Sequence, residues 1–576
     1  MERSCSRALG AAALCTLAVP ALSSDLQEAC NKLGEAALEP LLSRRPSQRG
    51  SAIAMATATA AADQQPEQLR RPVSVVVGAG PAGILTAVVL ARRGHEVHVY
   101  DRRPSPLKPT SQSSGEDNRA FVIGLNERGR AALEAAGFDV SAFAGPNSGL
   151  QPVSTLALSL PGGAATAAPS TRQLLFNKPW LVGPRQAHCA AMLAQAQAMH
   201  PAAISWHWGV TFEDADLAAR TATFATCPGE GGSGASSQAD ERHTRSYDLL
   251  VAADGGWSRV RRAAVSQVPA LAATTVEPSP VRYKVFRGLP PSASLPVGPS
   301  AAGPAGSGDA CCGEGSPEAA AAGGGKETPQ LRLIFASGRG LPQPGALFLT
   351  ADPAVGSVRG ILSMADACWE AAGLDRSTCA GAHAAFLARR FPTLPPEWLL
   401  PMATQLAEHP LWTAGARVHA PQLHGPGLLL VGDAGHGVTP RTGNGMNAAM
   451  QDAAVIDQLL AESGDLASLP QRFTAARLED AHALLWLDGT TRERGGTSRW
   501  GLAHPLALSN VVSTLVRSVL TKATGGWVAP PALVTQQRGT MSYSALKRQI
   551  QRDAALCAVL AAGSVAALAA ACLRRR

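Results

Sequence analysis

With 576 residues the chain exceeds one typical hydrophobic core, so two packed domains with appendages are expected. A hydrophobic fraction of 46% against 16% charged residues excludes a wholly disordered chain. The formal net charge of +8 is modest for this length and the arginines are scattered except at the two ends, which argues against a nucleic-acid binder; the eleven cysteines form no C-x-x-C pair, which argues against a zinc ribbon or a dithiol centre, and no metal site is expected.

Residues 1–70 read as a targeting or disordered extension. Ala8 to Leu22 is apolar behind Arg3 and Arg7, like a short presequence, and the Ala/Thr/Ser run around Ala52 to Ala62 resembles transit or linker sequence. Glu28, Glu35 and Glu39 count against a presequence and leave a plain flexible tail open.

The chain is organised around Val73 to Asp101. A β-branched run, Val75 to Val77, ends at Gly78, and Gly78, Gly80 and Gly83 stand in G-x-G-x-x-G spacing before an apolar helical segment. This predicts strand, tight turn and helix, with Gly80 leaving bare backbone for a pyrophosphate and the helix amides pointing at it. A second strand, Glu96 to Tyr100, delivers Asp101 about 20 residues on, where an acid accepts hydrogen bonds from a ribose. The glycines do not distinguish FAD from NAD.

Asn118 to Gly137 reads as a short strand and a helix closed by Gly137, and Arg185 opens an Ala-rich helix from which it can reach a phosphate or ribityl oxygen. Trp206 and Trp208 are read as same-face side chains of one strand. Pro228 to Arg245 and Leu295 to Gln330 have the composition of surface insertions. Val281 to Leu289, Leu331 to Ser337, Ala346 to Leu349 and Gly356 to Ser363 alternate as strands of a second domain. Two buried strands run into further turns: DLLVAADGGWSRVRR, with Asp254-Gly255, and LLLVGDAGHGVTPRTGNGMNAAMQD, with Gly432-Asp433 and a long helix.

Those three motifs, in this order, resemble the single-component FAD-dependent aromatic hydroxylases. Arg119 with GLNERGRAAL, GDAGHGVTPRTGNGMNAAMQD, and TMSYSALKRQ followed by a hydrophobic tail are similar to the kynurenine 3-monooxygenases and their relatives. The resemblance implies an α/β fold: a Rossmann-like FAD-binding domain with an inserted β-sheet-rich substrate domain and a C-terminal helical tail. The FAD-binding segments are expected at 71–190, 248–270 and 421–465, sheet-rich segments at 191–247 and 271–420, the latter with a disordered insertion at 295–330, and a helical region at 466–553. Gly78, Gly80, Pro81, Ala82, Gly83, Asp101, Arg102, Arg119, Arg185, Asp254 and Asp433 are implied FAD contacts, and Gly445, Met446 and Asn447 would lie beside the isoalloxazine. His436 is read as a structural or flavin-side contact rather than a base.

The implied activity is an NADPH- or NADH-consuming monooxygenase using FAD and O2, which hydroxylates a small aromatic substrate through a flavin C4a-hydroperoxide. A disulfide reductase would need a redox cysteine pair, a halogenase an Ile-Pro where Val210-Thr211 stands, and a nicotinamide dehydrogenase would not explain Gly432-Asp433. A membrane-tethered flavoprotein without hydroxylase activity is the rival outside enzymes. Residues 554–573 are uncharged over 20 positions, about 30 Å as a helix, and are a candidate transmembrane anchor. By resemblance that anchor predicts an organellar membrane, the mitochondrial outer membrane first and a plastid membrane as the alternative.

One departure bears on the substrate. In the kynurenine enzymes an arginine and a tyrosine on the substrate sheet hold the amino-acid carboxylate, and here Thr155 and Pro169 fall near their places, with Arg172 as a possible substitute cation. A buried carboxylate without its charged partner costs several kcal/mol. The expectation is a less charged, lipophilic ring compound, with kynurenine as the alternative.

Overall fold

The computed structural model of the chain describes residues 70–107, 122–145, 148–160, 170–226, 242–292, 295, 330–336, 345–352, 356–440, 443–492, 516–517, 521, 523, 535 and 541–574. Arg119, Pro169, residues 1–69 and most of the two expected insertions lie outside them.

Apolar strands bounded by glycine turns build the first layer, a six-stranded sheet in the order His424–Gly425, Leu428–Leu430, Leu249–Ala252, Val73–Val77, Glu96–Asp101, Ile204–Trp208. All its pairings are parallel except the first. The three central strands are buried almost throughout, as a parallel sheet covered on both faces requires. Successive strands are added first to one side of Val73–Val77 and then to the other, so the crevice at the end of that strand is the topological switch point where ligands bind in such sheets. Helix Pro81–Arg92, apolar on nearly every side, is sandwiched between the sheet and helix Gly445–Glu462.

The second layer is an eight-stranded sheet ordered Trp412–Thr413, Val281–Leu289, Ser357–Ala365, Ala346–Asp352, Gln330–Phe335, Gln151–Leu160, Ser170–Pro184, Val122–Leu125. Residues 151–184, inside the span expected for the first FAD-binding segment, pair here: Gln151–Leu160 lies parallel to Gln330–Phe335 and antiparallel to Ser170–Pro184. That pairing joins residues more than 170 positions apart, and no local pattern announces it. One face is covered by helices Asp366–Ala371, Ala380–Arg390 and Pro396–Glu408, which bury Trp369 and Trp398 against Phe286, Leu347 and Leu362. Trp206 and Trp208 stack at 6.0 Å on the edge strand of the first sheet. Arg242–Ser246, the end of the first expected insertion, is a strand of a small antiparallel sheet with Val210–Asp216 and Thr221–Thr226.

Helix Leu469–Arg492 and the first turns of helix Tyr543–Arg574 share a separate core of Leu484, Leu487, Tyr543, Leu546 and Ile550. The candidate anchor, 554–573, is the continuation of this last helix. Among the described residues no helix is long and apolar enough to cross a membrane, so the expected transmembrane anchor and membrane partner are not supported. Ten of the 20 residues are alanines, whose methyl groups give a helix without charge but with little apolar bulk.

Trp398 is fully buried and its indole N–H donates to the Pro290 carbonyl at 2.8 Å. Trp398→Ala should therefore lower unfolding stability by about 3–5 kcal/mol, read as a drop in the urea midpoint of the substrate-sheet domain.

Candidate active site

The three motifs meet where the first sheet ends. Gly78 has φ +104°, and a Cβ there would overlap the carbonyl of Ala253, immediately before Asp254. A Cβ on Gly83 would overlap the Gly78 carbonyl, so the helix can sit on the turn only as glycine. A Cβ on Gly432 would lie 3.3 Å from that of Ala82 and 2.9 Å from that of Ala449. The glycine-rich turn, the Asp-Gly turn and the Gly-Asp turn are thus in contact.

Gly80 is the N-cap of helix Pro81–Arg92 and supplies no side-chain cap, so the first-turn amides keep their donors for another partner. Pro81 costs nothing at N1, where no intrahelical donor is needed. The Arg185 guanidinium, from the first residue of helix Arg185–Met199, stands 3.6 Å from where a Gly80 Cβ would be. Bare backbone beneath a guanidinium is a cradle for a pyrophosphate.

Asp101 sits at the end of its strand as expected, but its carboxylate is already engaged. Oδ2 accepts from the Ala79 amide at 2.8 Å and from Arg103 Nη2 at 2.7 Å, while Oδ1 accepts from the Arg103 amide and Nε, both at 2.9 Å. Burial opposes ionisation, yet Arg103 and the amides hold the carboxyl below the usual range. A ribose reaches Asp101 only by sharing or displacing Arg103. Arg102, the neighbour expected to contact the cofactor, is exposed. Arg103 was missed, although the Asp-x-Arg spacing that brings its fork back to Asp101 is visible in the sequence.

Asp254 Oδ2 accepts from the amides of Arg259 at 2.7 Å and Val260 at 3.3 Å, and its Oδ1 is buried without a partner. Burial pushes this carboxyl upward against those donors. Arg261 joins two motifs, donating to the Gly256 carbonyl at 2.7 Å and to the Ala434 carbonyl at 2.6 Å. Asp433 opens the short helix Asp433–His436 with an exposed side chain, and its Oδ1 lies 3.8 Å from where a Gly445 Cβ would be. It therefore faces the start of helix Gly445–Glu462.

At that helix start Met446 packs half-buried against the core around the first sheet. Asn447 is fully buried and its amide is spent: Nδ2 donates to the carbonyls of Gly124 at 3.0 Å and Gly443 at 3.2 Å, and Oδ1 accepts from the Asn126 amide at 3.0 Å. It ties the helix to strand Val122–Leu125, the last strand of the second sheet, so its side chain acts as a clamp. His436 Nε2 lies 2.7 Å from Asp452 Oδ2, a structural engagement.

The FAD binding domain family matches residues 70–277 and 401–467. Kynurenine 3-monooxygenase of Salinispora arenicola is 28% identical over 456 residues, covering 78% of this chain and 86% of that protein. The chain is an FAD-dependent monooxygenase. Its fold is shared by PqsL of P. aeruginosa, solved with 2-aminobenzoylacetate, at TM-score 0.50, 17% identity and coverage of 75% of this chain and 99% of that one. It is also shared by 2-methyl-3-hydroxypyridine-5-carboxylic acid oxygenase, at TM-score 0.51 and 17% identity, covering 76% of this chain and 96% of that one. The residues of this monooxygenase fit FAD: bare backbone at Gly80, a cation in Arg185, an unpartnered buried oxygen on Asp254 and an exposed carboxylate at Asp433.

Gly80→Val should fill the cradle beneath Arg185, and Asp433→Ala should remove the exposed carboxylate. Both variants are expected to lose most flavin absorbance after purification, with far-UV circular dichroism unchanged.

His188, one turn after Arg185, is buried, with Nε2 3.3 Å from the Ile123 carbonyl, and burial pushes its pKa down to about 4. His207 is likewise pushed down to about 4, by burial and then by neighbouring cationic groups. Unfolded histidines titrate near 6.5, so neutral His188 contributes stability that is present above that pH and lost as pH falls toward 4. Asp101 and Asp452, held below 3.8, lose theirs only at lower pH. Melting temperature should fall between pH 6.5 and 4, and His188→Gln should reduce the slope of stability with pH by up to about one proton.

Proposed function

We propose that this monooxygenase consumes NADPH or NADH and one O2 to convert a ring C–H of a small, weakly charged aromatic compound into C–OH, the second oxygen leaving as water. The observation that carries the proposal is the side-chain cluster beside the Asn447 clamp. Gly124 presents its carbonyl to Asn447, and a Cβ on it would lie 2.8 Å from the Trp180 ring. Trp180 packs with Val122, Val153, Val182 and Leu331, an all-apolar cluster on the second sheet. Thr155, where the resemblance expects a carboxylate-holding arginine, is buried and pairs in register with Leu175.

When bound, FAD supplies the redox and oxygen-transfer chemistry. The chain's own work is positioning and exclusion of water. Arg185 and the amides after Gly80 would hold the pyrophosphate. Asp433 would hold hydroxyl groups at the start of helix Gly445–Glu462, whose amides favour negative charge. The apolar cluster keeps the ring side dry, so that oxygen is transferred to the substrate rather than released to solvent in reduced form without hydroxylation.

Kynurenine is the second reading, favoured by the name of the relative at 28% identity. A screen of aromatic compounds that follows NAD(P)H oxidation together with product mass separates them. Coupled single hydroxylation of weakly charged rings is expected. Saturable hydroxylation of kynurenine at micromolar concentration would replace this reading with the second, and oxidation uncoupled from every product would remove the hydroxylase assignment.

A further inference from the structure

A cavity of about 290 Å³ lies at the base of the last helix, far in sequence from the three flavin motifs, and is lined by Arg517, Met541, Ala545, Arg548, Gln549 and Arg552. Ala545, Arg548, Gln549 and Arg552 follow one another at i, i+3, i+4 and i+7 and so share one face of helix Tyr543–Arg574. Arg517 closes the cavity from across, held by a fork to Asp553 in which Nε donates to Oδ2 at 2.6 Å. The other two guanidiniums are less committed. Among the described residues Arg548 pairs with Glu479 alone, in a contact whose side chains are 52% and 73% exposed. An exposed pair of this kind exchanges readily for a better ligand. Arg552 is exposed and has no carboxylate partner among the described residues.

We propose that this cavity binds a phosphate monoester. Each guanidinium offers a planar fork of donors, and one fork saturates the two oxygens of a carboxylate, whereas a phosphate presents three charged oxygens to more than one arginine at once. Met541 and Ala545 give an apolar wall for the organic stem of the ester. The volume is near the lower end of small-molecule pockets, about 300–1,000 Å³, and suits a headgroup-sized ligand rather than a dinucleotide. The anchoring is firm: the Met541 carbonyl accepts from Arg128 at 2.6 Å, and the amides of Tyr543 and Ser544 are held by Asp480. The phosphate is carried either by a free metabolite or by an acidic lipid headgroup.

The test uses full-length, FAD-loaded protein, so that the pyrophosphate cradle is filled. Calorimetric titration with inorganic phosphate and with glycerol 3-phosphate reads the free source. Flotation with phosphatidylcholine vesicles, with and without phosphatidic acid, reads the headgroup source. Binding in either arm should weaken about tenfold or more in the Arg548→Ala/Arg552→Ala double variant. It should tighten by about threefold in Glu479→Gln, which frees Arg548 while removing no donor. Retained flavin absorbance in both variants shows that the fold is intact. Saturable phosphate binding with no vesicle preference assigns a soluble ester, and capture only by phosphatidic acid vesicles assigns a headgroup. Absence of binding in both arms, or binding that the double variant leaves unchanged, overturns the site.

Discussion

The carboxylate of Asp452 is the interaction on which the rest of the structure depends. It is fully buried, and it accepts from the Gly432 amide at 2.7 Å, from His436 at 2.7 Å and from Arg477 at 2.9 Å (Nε) and 2.8 Å (Nη2). Burial alone would raise its pKa, and the His436 and Arg477 partners reverse that and hold it low. A buried ion of this kind is tolerated only with every lone pair satisfied, since its desolvation costs several kcal/mol. The Gly-Asp turn, helix Gly445–Glu462 and helix Leu469–Arg492 are therefore fixed by one anion. Arg477 also approaches Asp480 at 3.5 Å, which caps the start of the last helix. The geometry around the flavin and the seat of the C-terminal helix are thereby coupled.

A second clamp closes the circuit on the substrate side. Asn126 caps helix Glu127–Ala135 through its side chain, and its own amide is taken by Asn447. Arg128, in the first turn of that helix, lies over the Tyr543 ring at 4.2 Å. The edge of the second sheet, the start of helix Gly445–Glu462 and the last helix thus share one set of contacts. A flavin enzyme needs such closure because its cofactor carries the reactivity, and the protein governs outcome mainly through orientation and dryness.

The fold around the cofactor was legible because its marks are local. Gly78, Gly80 and Gly83 declare themselves by spacing, and VSVVV, LLVA and LLL declare buried parallel strands by lacking alternation. What was not legible depends on partners distant in the chain. Arg477 is one charge among several on its helix until the fold brings Asp452 to it. Asn447 was placed beside the isoalloxazine by resemblance, and its amide is committed to residues 321 and 323 positions away. The pairing of Gln151–Leu160 with Gln330–Phe335 is of the same kind, since its partner strand lies more than 170 positions away. The tail shows the converse limit: absence of charge is easy to read, but an alanine-rich run does not by that alone become a membrane span.

The same distinction explains why the cofactor is better determined than the substrate. A pyrophosphate is held by backbone amides, and a backbone must be bared by glycine, which leaves a fixed spacing in the sequence. A ring is held by side chains from strands that meet only through long-range register, such as Val153 opposite Trp180 and Leu331 opposite Leu156. A one-residue irregularity changes which side chains face the ring, and the register does shift between Val153 and Thr155. Position in a resemblance is then a weaker guide to function there than chemistry. Thr155 carries no charge and is buried, so a substrate carboxylate at that point would have to bring its own counter-charge or draw one from elsewhere in the fold.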